Sequence, residues 1–382
     1  MGSPLGAYST EIYLRGLDGV RPDLPTDPNR LEDAARAVLA EEPFDYVAGG
    51  AGTGATMRAN RAAFDRYGLV PRMLRNNTSR DWSTTLLGTA MPAPLLLAPI
   101  GVQSLLHAEG ELAVARAAAE LGVPMVLSTA ASHSTEAVAA ASGEGPRWYQ
   151  LYWPTDDDVT ISLVGRARAA DFAVLVVTLD TWTLGWRPQD LDRGYLPFLR
   201  GIGTAIPFSD PAFRAALARP PEDDLAAAVR YRQRIFTGTA RSWDRLALLR
   251  RHWDGPIVLK GIQHVDDALA ALDAGMDGVI VSNHGGRQVD RAVGSLQAAV
   301  RLRHPHRRGR RGCAGARRRR GTAGASVRLR AGARWAGRGA ARPALRARGA
   351  GPHTGPRRVH RPRRAACDEG GRRGPRVRRV EG

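Results

Sequence analysis

Short apolar runs alternate with alanine-rich stretches of helical period between residues 94 and 281. Apolar runs of this length, bounded by turn residues, are typical of strands buried on both faces. Strands that alternate with helices favour a parallel sheet whose outer face is covered. The pattern therefore predicts six βα units, with strands at residues 94–99, 124–127, 148–152, 172–179, 256–259 and 278–281.

Two segments depart from this alternation. Residues 181–254 separate the fourth and fifth predicted strands, and a connection of this length is usually a lid or a binding loop. We expect the lid-like part at residues 188–240. At the N-terminus, the sequence predicts an unpacked arm at residues 1–30. A short helix with one apolar face is predicted at residues 31–42.

The pattern ends after Leu296, and residues 301–382 differ from the rest in composition. This tail contains 27 arginines, no lysine and three acidic residues, a balance of +24 against +19 for the whole chain. The first 300 residues thus carry a net charge of −5. The tail is rich in Arg, Gly, Ala and Pro. This is the composition expected when a GC-rich gene is translated out of frame. We interpret it as a disordered product of a frameshift near residues 296–303.

The predicted domains are therefore an N-terminal arm and helical cap at 1–93, a partial barrel-like domain at 94–300 and the tail at 301–382. Both cysteines, Cys313 and Cys367, lie in the tail, so neither a disulfide nor a metal site is expected in the remainder. No apolar run is long enough to span a membrane, and the N-terminus lacks a basic segment followed by an apolar one. We expect a cytoplasmic protein without a membrane partner.

The best catalytic candidate is His284, which follows the predicted strand 278–281 together with Arg287. A base three residues from a fixed cation suits an anionic substrate that must lose a proton. Lys260 is the only lysine of the chain and ends another predicted strand. Its use among so many arginines suggests a site that requires a compact point charge.

The run Ser282-Asn283-His284-Gly285-Gly286-Arg287-Gln288 resembles the signature of the FMN-dependent 2-hydroxy acid oxidase and dehydrogenase family. Further segments similar to this family run in order from about residue 44 to 296, and residues 180–188 and 194–198 resemble its lactate 2-monooxygenase branch. The resemblance implies a TIM-type (β/α)8 barrel that is incomplete here, with about six units, an N-terminal helical cap, a long loop after the fourth strand and an irregular Arg-rich tail.

The resemblance also implies roles for individual residues. His284 takes the substrate hydroxyl proton, Asp180 orients His284, and Tyr152 lies near the substrate hydroxyl. Tyr46, Tyr152, Arg187 and Arg287 bind the substrate carboxylate and hydroxyl. The implied FMN contacts are Pro99, Ile100, Gly101, Ser128, Gln150, Thr178, Lys260 and Ser282.

The implied reaction is FMN-dependent oxidation of a small L-2-hydroxy acid such as lactate, with oxygen as acceptor. A closed site that retains the product would give oxidative decarboxylation, as in the lactate 2-monooxygenase branch. The alternative is an oxidase that releases the 2-oxo acid and hydrogen peroxide. The C2 hydrogen leaves as hydride or through a carbanion, and the sequence does not choose between these routes.

The family's phosphate-binding loops after the seventh and eighth strands have no counterpart in the tail. We therefore predict weak FMN binding and impaired turnover. A homo-oligomer is expected if the fold is completed. A function of another class is nucleic-acid binding through the tail arginines. The tail lacks heptads, zinc ligands and interleaved aromatic residues, so it would bind without sequence preference. We expect the enzymatic function, with no nucleic-acid partner.

Overall fold

The structure is a computed structural model that describes residues 4–75, 81–238 and 241–303. Residues 304–382 of the Arg-rich tail lie outside the described residues. The prediction that this tail is disordered therefore concerns residues that the structure does not describe. The described strands are β1 (Thr84–Leu86), β2 (Thr89–Met91), β3 (Met125–Ser128), β4 (Arg147–Tyr152), β5 (Leu175–Thr178), β6 (Ile257–Ile262) and β7 (Gly278–Val281).

Strands β3 to β7 form one parallel sheet in chain order, as the βα alternation predicts. Alternate residues of each strand face opposite sides, so that two apolar clusters form. Leu127, Leu151 and Leu259 pack with the surrounding helices in the larger cluster. Trp148 and Val176 belong to a smaller cluster on the opposite face, against which the β1–β2 hairpin packs through residues 86–87.

Five of the six predicted strands form, whereas residues 94–99 do not. This segment is joined to the sheet by a single parallel bridge between Leu97 and Met125. Prolines at positions 92, 94 and 99 surround the segment, and proline has no backbone N–H to donate to a neighbouring strand. The first predicted strand therefore runs beside β3 without extending the sheet.

The described helices are α1 (Pro4–Leu17), α2 (Leu31–Val38), α3 (Glu41–Ala48), α4 (Ala55–Ala62), α5 (Gly110–Glu120), α6 (Thr135–Ser142), α7 (Asp157–Ala169), α8 (Pro188–Asp192), α9 (Ala205–Phe208), α10 (Pro211–Ala215), α11 (Leu225–Phe236), α12 (Leu246–His252), α13 (Val265–Asp273) and α14 (Ser295–Arg303). Helices α5, α6, α7, α12 and α13 connect or precede the parallel strands. Within the described residues, no helix is long and apolar enough to cross a membrane.

Two details of the sequence prediction are wrong. Residues 4–17 of the expected arm form helix α1, whose described side chains are almost all exposed, so apolar burial left no signal there. The helix predicted at residues 31–42 ends at Val38, and α3 begins at Glu41. Helix α14 extends to Arg303, and its Leu302 is buried in the larger apolar cluster.

The insertion after β5 is helical and packs into the main core. Ile206 and Phe213 are fully buried, and Tyr231 belongs to the same apolar cluster. Asp210 caps α10 and accepts a hydrogen bond from Arg166 of α7 at 3.3 Å. The described part of the predicted lid is thus fixed to the domain by apolar burial and by a buried carboxylate.

Candidate active site

The candidate residues meet at the carboxyl ends of the parallel strands. The strand register pairs Tyr152 with Thr178, Thr178 with Lys260, and Lys260 with Ile280. These four residues therefore form one row across β4 to β7. In α/β sheets this end of the strands is where binding and catalytic groups collect.

His284 lies at the centre of a hydrogen-bonded group. Its Nδ1 is 2.7 Å from Asp180 Oδ1 and 2.9 Å from Thr181 Oγ1. Its Nε2 is 3.4 Å from the Tyr152 hydroxyl. Because Asp180 accepts a hydrogen bond at Nδ1, the neutral imidazole keeps its free lone pair on Nε2, on the side of Tyr152.

Lys260 completes this group as a buried cation. Its Nζ lies 3.7 Å from Asp180 Oδ2, and the lysine is 8% exposed. Burial lowers the pKa of Lys260, against the opposing charge of Asp180. Burial also acts to raise the pKa of Asp180, but the hydrogen bond from His284 and the charge of Lys260 outweigh it, so the pKa of Asp180 is lowered.

Burial lowers the pKa of His284 as well, and the charges of Lys260 and Arg187 act in the same direction. The hydrogen bond to Asp180 opposes this shift without cancelling it. Tyr152 has a raised pKa because it is buried and near Asp180. At neutral pH the group therefore contains a neutral imidazole, a protonated phenol and an ionised carboxylate.

Two arginines lie beside this group, on the loops after β5 and β7. Arg187 Nε donates to the carbonyl of Arg287 at 2.9 Å, and Arg187 Nη2 donates to Gln288 Oε1 at 2.8 Å. Arg287 Nη1 donates to the Gly49 carbonyl at 2.5 Å, and its guanidinium lies 5.1 Å from the centroid of the Tyr46 ring. The three predicted carboxylate-binding side chains, Tyr46, Arg187 and Arg287, thus come together.

The loop that carries His284 is held by the N-terminal segment. His284 has a φ of 56°, a left-handed conformation that is uncommon for residues other than glycine. Its backbone N–H donates to Ser282 Oγ at 3.0 Å. Asn283 and Asn60 exchange side-chain hydrogen bonds at 2.7 and 3.0 Å, while Asp290 accepts the backbone N–H of Thr53 at 2.8 Å. These contacts fix the unusual backbone of His284.

The predicted flavin contacts on the strands, such as Gln150 and Thr178, alternate with helix-facing residues and therefore lie on the opposite side of the sheet. Ser128 donates to Gln150 Oε1 at 2.9 Å, whereas Gln150 Nε2 and Thr178 Oγ1 are buried without a hydrogen-bond partner among the described residues. A Cβ placed on Gly101 would lie only 2.8 Å from the Ala130 carbonyl, so glycine permits the close approach of residues 99–101 to the loop after β3.

These features fit an isoalloxazine edge. Unpartnered buried donors are costly unless a ligand accepts from them, and flavins present carbonyl and ring-nitrogen acceptors. Lys260 adds a cation beside Thr178 in the strand register. Two predicted contacts are less distinctive, since Ile100 is 53% exposed and Ser282 Oγ accepts a hydrogen bond within its own loop.

Sequence reasoning missed several residues of the site. Thr181 contacts His284 directly, and Gln288 bridges the two arginine loops, since its Nε2 also donates to the Thr183 carbonyl at 2.6 Å. Asp190 is 7% exposed and lies 3.6 Å from Arg187 Nη1. Thr181 follows Asp180 in the sequence, and Gln288 follows Arg287. Their position next to predicted site residues is the sequence feature that could have identified them. Among the described residues, no cluster of three or more potential metal ligands occurs.

Comparison with known proteins agrees with this arrangement. The profile of the FMN-dependent dehydrogenase family matches residues 35–308. The chain is 50% identical over 297 residues to the FMN-dependent alpha-hydroxy acid dehydrogenase qulF of Penicillium citrinum, covering 77% of this chain and 74% of that protein. It is 41% identical to an L-lactate oxidase of Lysinibacillus sphaericus, covering 70% and 69% of the two chains.

A crystal structure of mandelate oxidase is similar in fold, with a TM-score of 0.61 and 39% identity over 71% of this chain and 72% of that one. The parallel sheet is thus part of a TIM barrel, and the expectation of FMN as cofactor is confirmed. The chain belongs to the FMN-dependent dehydrogenase family.

Proposed function

We propose that this protein oxidises a small L-2-hydroxy acid, such as lactate, with FMN as the electron acceptor. The supporting observation is the position of His284. Its Nε2 faces the Tyr152 hydroxyl, its Nδ1 is held by Asp180, and Arg187 and Arg287 lie on the adjoining loops. The relatives named for 2-hydroxy acid and lactate chemistry support the same substrate class.

The carboxylate of such a substrate requires fixed cations. The Nε and Nη2 atoms of Arg187 are engaged by the Arg287 carbonyl and by Gln288, and these bonds hold the plane of the guanidinium. The remaining N–H groups of Arg187, the Arg287 guanidinium and the Tyr46 phenol are the donors for the carboxylate. Fixing the carboxylate at these groups orients C2 and its hydroxyl towards Tyr152 and His284.

The hydroxyl proton passes to His284 Nε2. Because the pKa of His284 is lowered, the imidazole is neutral and able to accept a proton at pH 7. The imidazolium that forms is stabilised by Asp180 at 2.7 Å. Tyr152 stays protonated, since its pKa is raised, and donates a hydrogen bond to the substrate oxygen.

FMN, when bound, supplies a two-electron acceptor. Gln150, Thr178 and Lys260 would hold its ring edge, and Lys260 would neutralise negative charge there. Residues 304–382 have no apolar periodicity or glycine-rich phosphate motif in their sequence. We therefore propose that the chain retains FMN weakly and that its turnover is reduced accordingly.

The fate of oxygen has two candidates. Arg187 is 4% exposed, and this burial of a carboxylate-binding residue favours retention of the 2-oxo acid and oxidative decarboxylation. The L-lactate oxidase relatives favour release of the 2-oxo acid with hydrogen peroxide. Product analysis separates the two, because the first yields acetate from lactate and the second yields pyruvate.

The test is reduction of bound flavin by L-lactate without oxygen. Purified protein is saturated with FMN, mixed with L-lactate, and followed by the loss of flavin absorbance. His284→Asn should slow this loss by about 10²- to 10⁴-fold, since it removes the base. His264→Asn is the matched control, because His264 is an exposed N-cap of α13. Persistent flavin absorbance in the wild-type protein with every 2-hydroxy acid tried would refute the proposal.

A further inference from the structure

Arg232 of α11 is a cation without an anionic partner among the described residues. Its guanidinium carbon lies 4.1 Å from the centroid of the Phe198 ring and 5.4 Å from that of Phe236. Within the described residues it forms neither an ion pair nor a hydrogen bond, and its Nε atom is buried and unpartnered. The side chain is therefore held by aromatic faces alone.

Arg232 is half-buried, and its buried Nε–H lacks the acceptor that would offset the loss of water. Burial lowers the pKa of Arg232 to about 10, which reflects the cost of removing its charge from water. The aromatic rings offset only part of this cost, because a cation–π contact is weaker than a desolvated ion pair. Other arginines of the protein contrast with it, since Arg166 binds both Glu136 and Asp210.

Arg232 also lies on the boundary of the candidate active site. The Phe198 ring packs edge-on against Tyr46, with centroids 6.5 Å apart. The phenols of Tyr46 and Tyr152 lie close enough to Arg232 that their ionisation would raise its pKa. Both phenols belong to the predicted substrate site, so a substrate bound there lies within electrostatic range of Arg232.

The carboxylate at C1 does not require this third arginine. Arg187 and Arg287 come from the loops after β5 and β7 and are coupled through the Arg287 carbonyl. Arg232 comes from a different element, the last helix of the insertion. Arg232 is therefore not part of the pair formed by Arg187 and Arg287.

We propose that Arg232 binds an anionic group at the end of the substrate side chain, so that the preferred substrate is a 2-hydroxy dicarboxylate. This inference rests on the proposed function and narrows its substrate class from small 2-hydroxy acids in general to 2-hydroxy dicarboxylates. Lactate is then a poorer substrate, because it has only a methyl group where the second carboxylate would lie. Arg232 is then a specificity-determining residue.

The experiment compares the binding of L-malate and L-lactate by isothermal titration calorimetry, without oxygen and with FMN present in its reduced form, which cannot accept electrons from either acid. The wild-type protein should bind L-malate at least about 30-fold more tightly than L-lactate. Arg232→Met keeps the contact with Phe198 and should raise the Kd for L-malate about 30-fold, while the Kd for L-lactate changes by less than about 3-fold. Arg234→Met is the matched control, since Arg234 is exposed on the same helix and lies over the Tyr231 ring.

Three results would overturn the proposal. The first is a wild-type protein that binds L-malate no better than L-lactate, or not at all. The second is an equal loss of affinity for both acids in Arg232→Met, which would assign Arg232 to the C1 carboxylate. The third is an unchanged Kd for L-malate in that variant. Failure of flavin reduction with these affinities intact would instead count against the proposed oxidation.

Discussion

Asp180 is the residue whose substitution tests the electrostatic design of the site most directly. Its two carboxylate oxygens face different partners, with Oδ1 at 2.7 Å from His284 Nδ1 and Oδ2 at 3.7 Å from Lys260 Nζ. Asp180→Asn keeps the size of the side chain and removes its charge. The substitution therefore leaves no cavity, but it leaves Lys260 buried without its counter-ion.

The expected cost follows from the burial of the pair. Removing one partner of a buried ion pair typically costs about 3–5 kcal/mol. The lower end applies here, because the Lys260–Asp180 contact is long and a buried lysine can lose its proton. We expect Asp180→Asn to lower the free energy of unfolding by about 3 kcal/mol, which corresponds to a fall of about 1 M in the urea midpoint.

Urea unfolding of the FMN-free protein at pH 7, followed by circular dichroism, measures this difference. Asp254→Asn is the control, since Asp254 pairs with Arg168 at 3.1 Å but is 83% exposed. Exposed pairs contribute about 0–1 kcal/mol, so the control should scarcely change the midpoint. If Asp180→Asn costs less than about 1 kcal/mol, or no more than the control, Lys260 does not depend on Asp180 and the argument from burial fails.

Three further predictions concern separate parts of the site. The pKa of His284 is lowered in the folded protein, so below pH 6.5 the unfolded chain binds a proton that the folded one does not, and stability falls as the pH falls. His284→Asn should remove that part of the pH dependence, as urea midpoints at about pH 7.5 and 5.5 would reveal; equal dependence in both proteins would contradict it. Thr178→Val removes an unpartnered buried hydroxyl, so it should raise the stability of the FMN-free protein by about 1 kcal/mol and weaken FMN binding. Unchanged or tighter FMN binding would exclude the flavin contact. Gln288→Ala frees Arg187 Nη2 and should raise the KM for the 2-hydroxy acid about 10-fold with FMN affinity unchanged, whereas an unaltered KM would mean that the bridge does not position Arg187.

The strands were predictable because burial on both faces produces continuous apolar runs. The runs at β3 to β7 have this character, and each predicted range overlaps the observed strand. The convergence of Tyr152, Thr178 and Lys260 followed from their position at strand ends, since the ends of parallel strands lie side by side.

Features without an apolar pattern could not be predicted in this way. Helix α1 is exposed, and the hairpin of β1 and β2 has only three residues in each strand. The role of Gln288 depends on contacts between two loops about 100 residues apart in the chain. Arg232 lies in a helix that contains other arginines, and only the folded chain distinguishes it by its aromatic neighbours and its lack of an anion among the described residues.

The attachment of the His284 loop to the N-terminal segment has a consequence for biosynthesis. Asn60 and Asn283, which hold each other through their side-chain amides, are 223 residues apart in the chain. On the ribosome, α4 is therefore made long before the loop to which it will bind, and closing so large a loop is slow in folding. Maturation of the catalytic centre should be a late event, and a nascent polypeptide halted before residue 283 should expose the surface of α4 that later receives this loop.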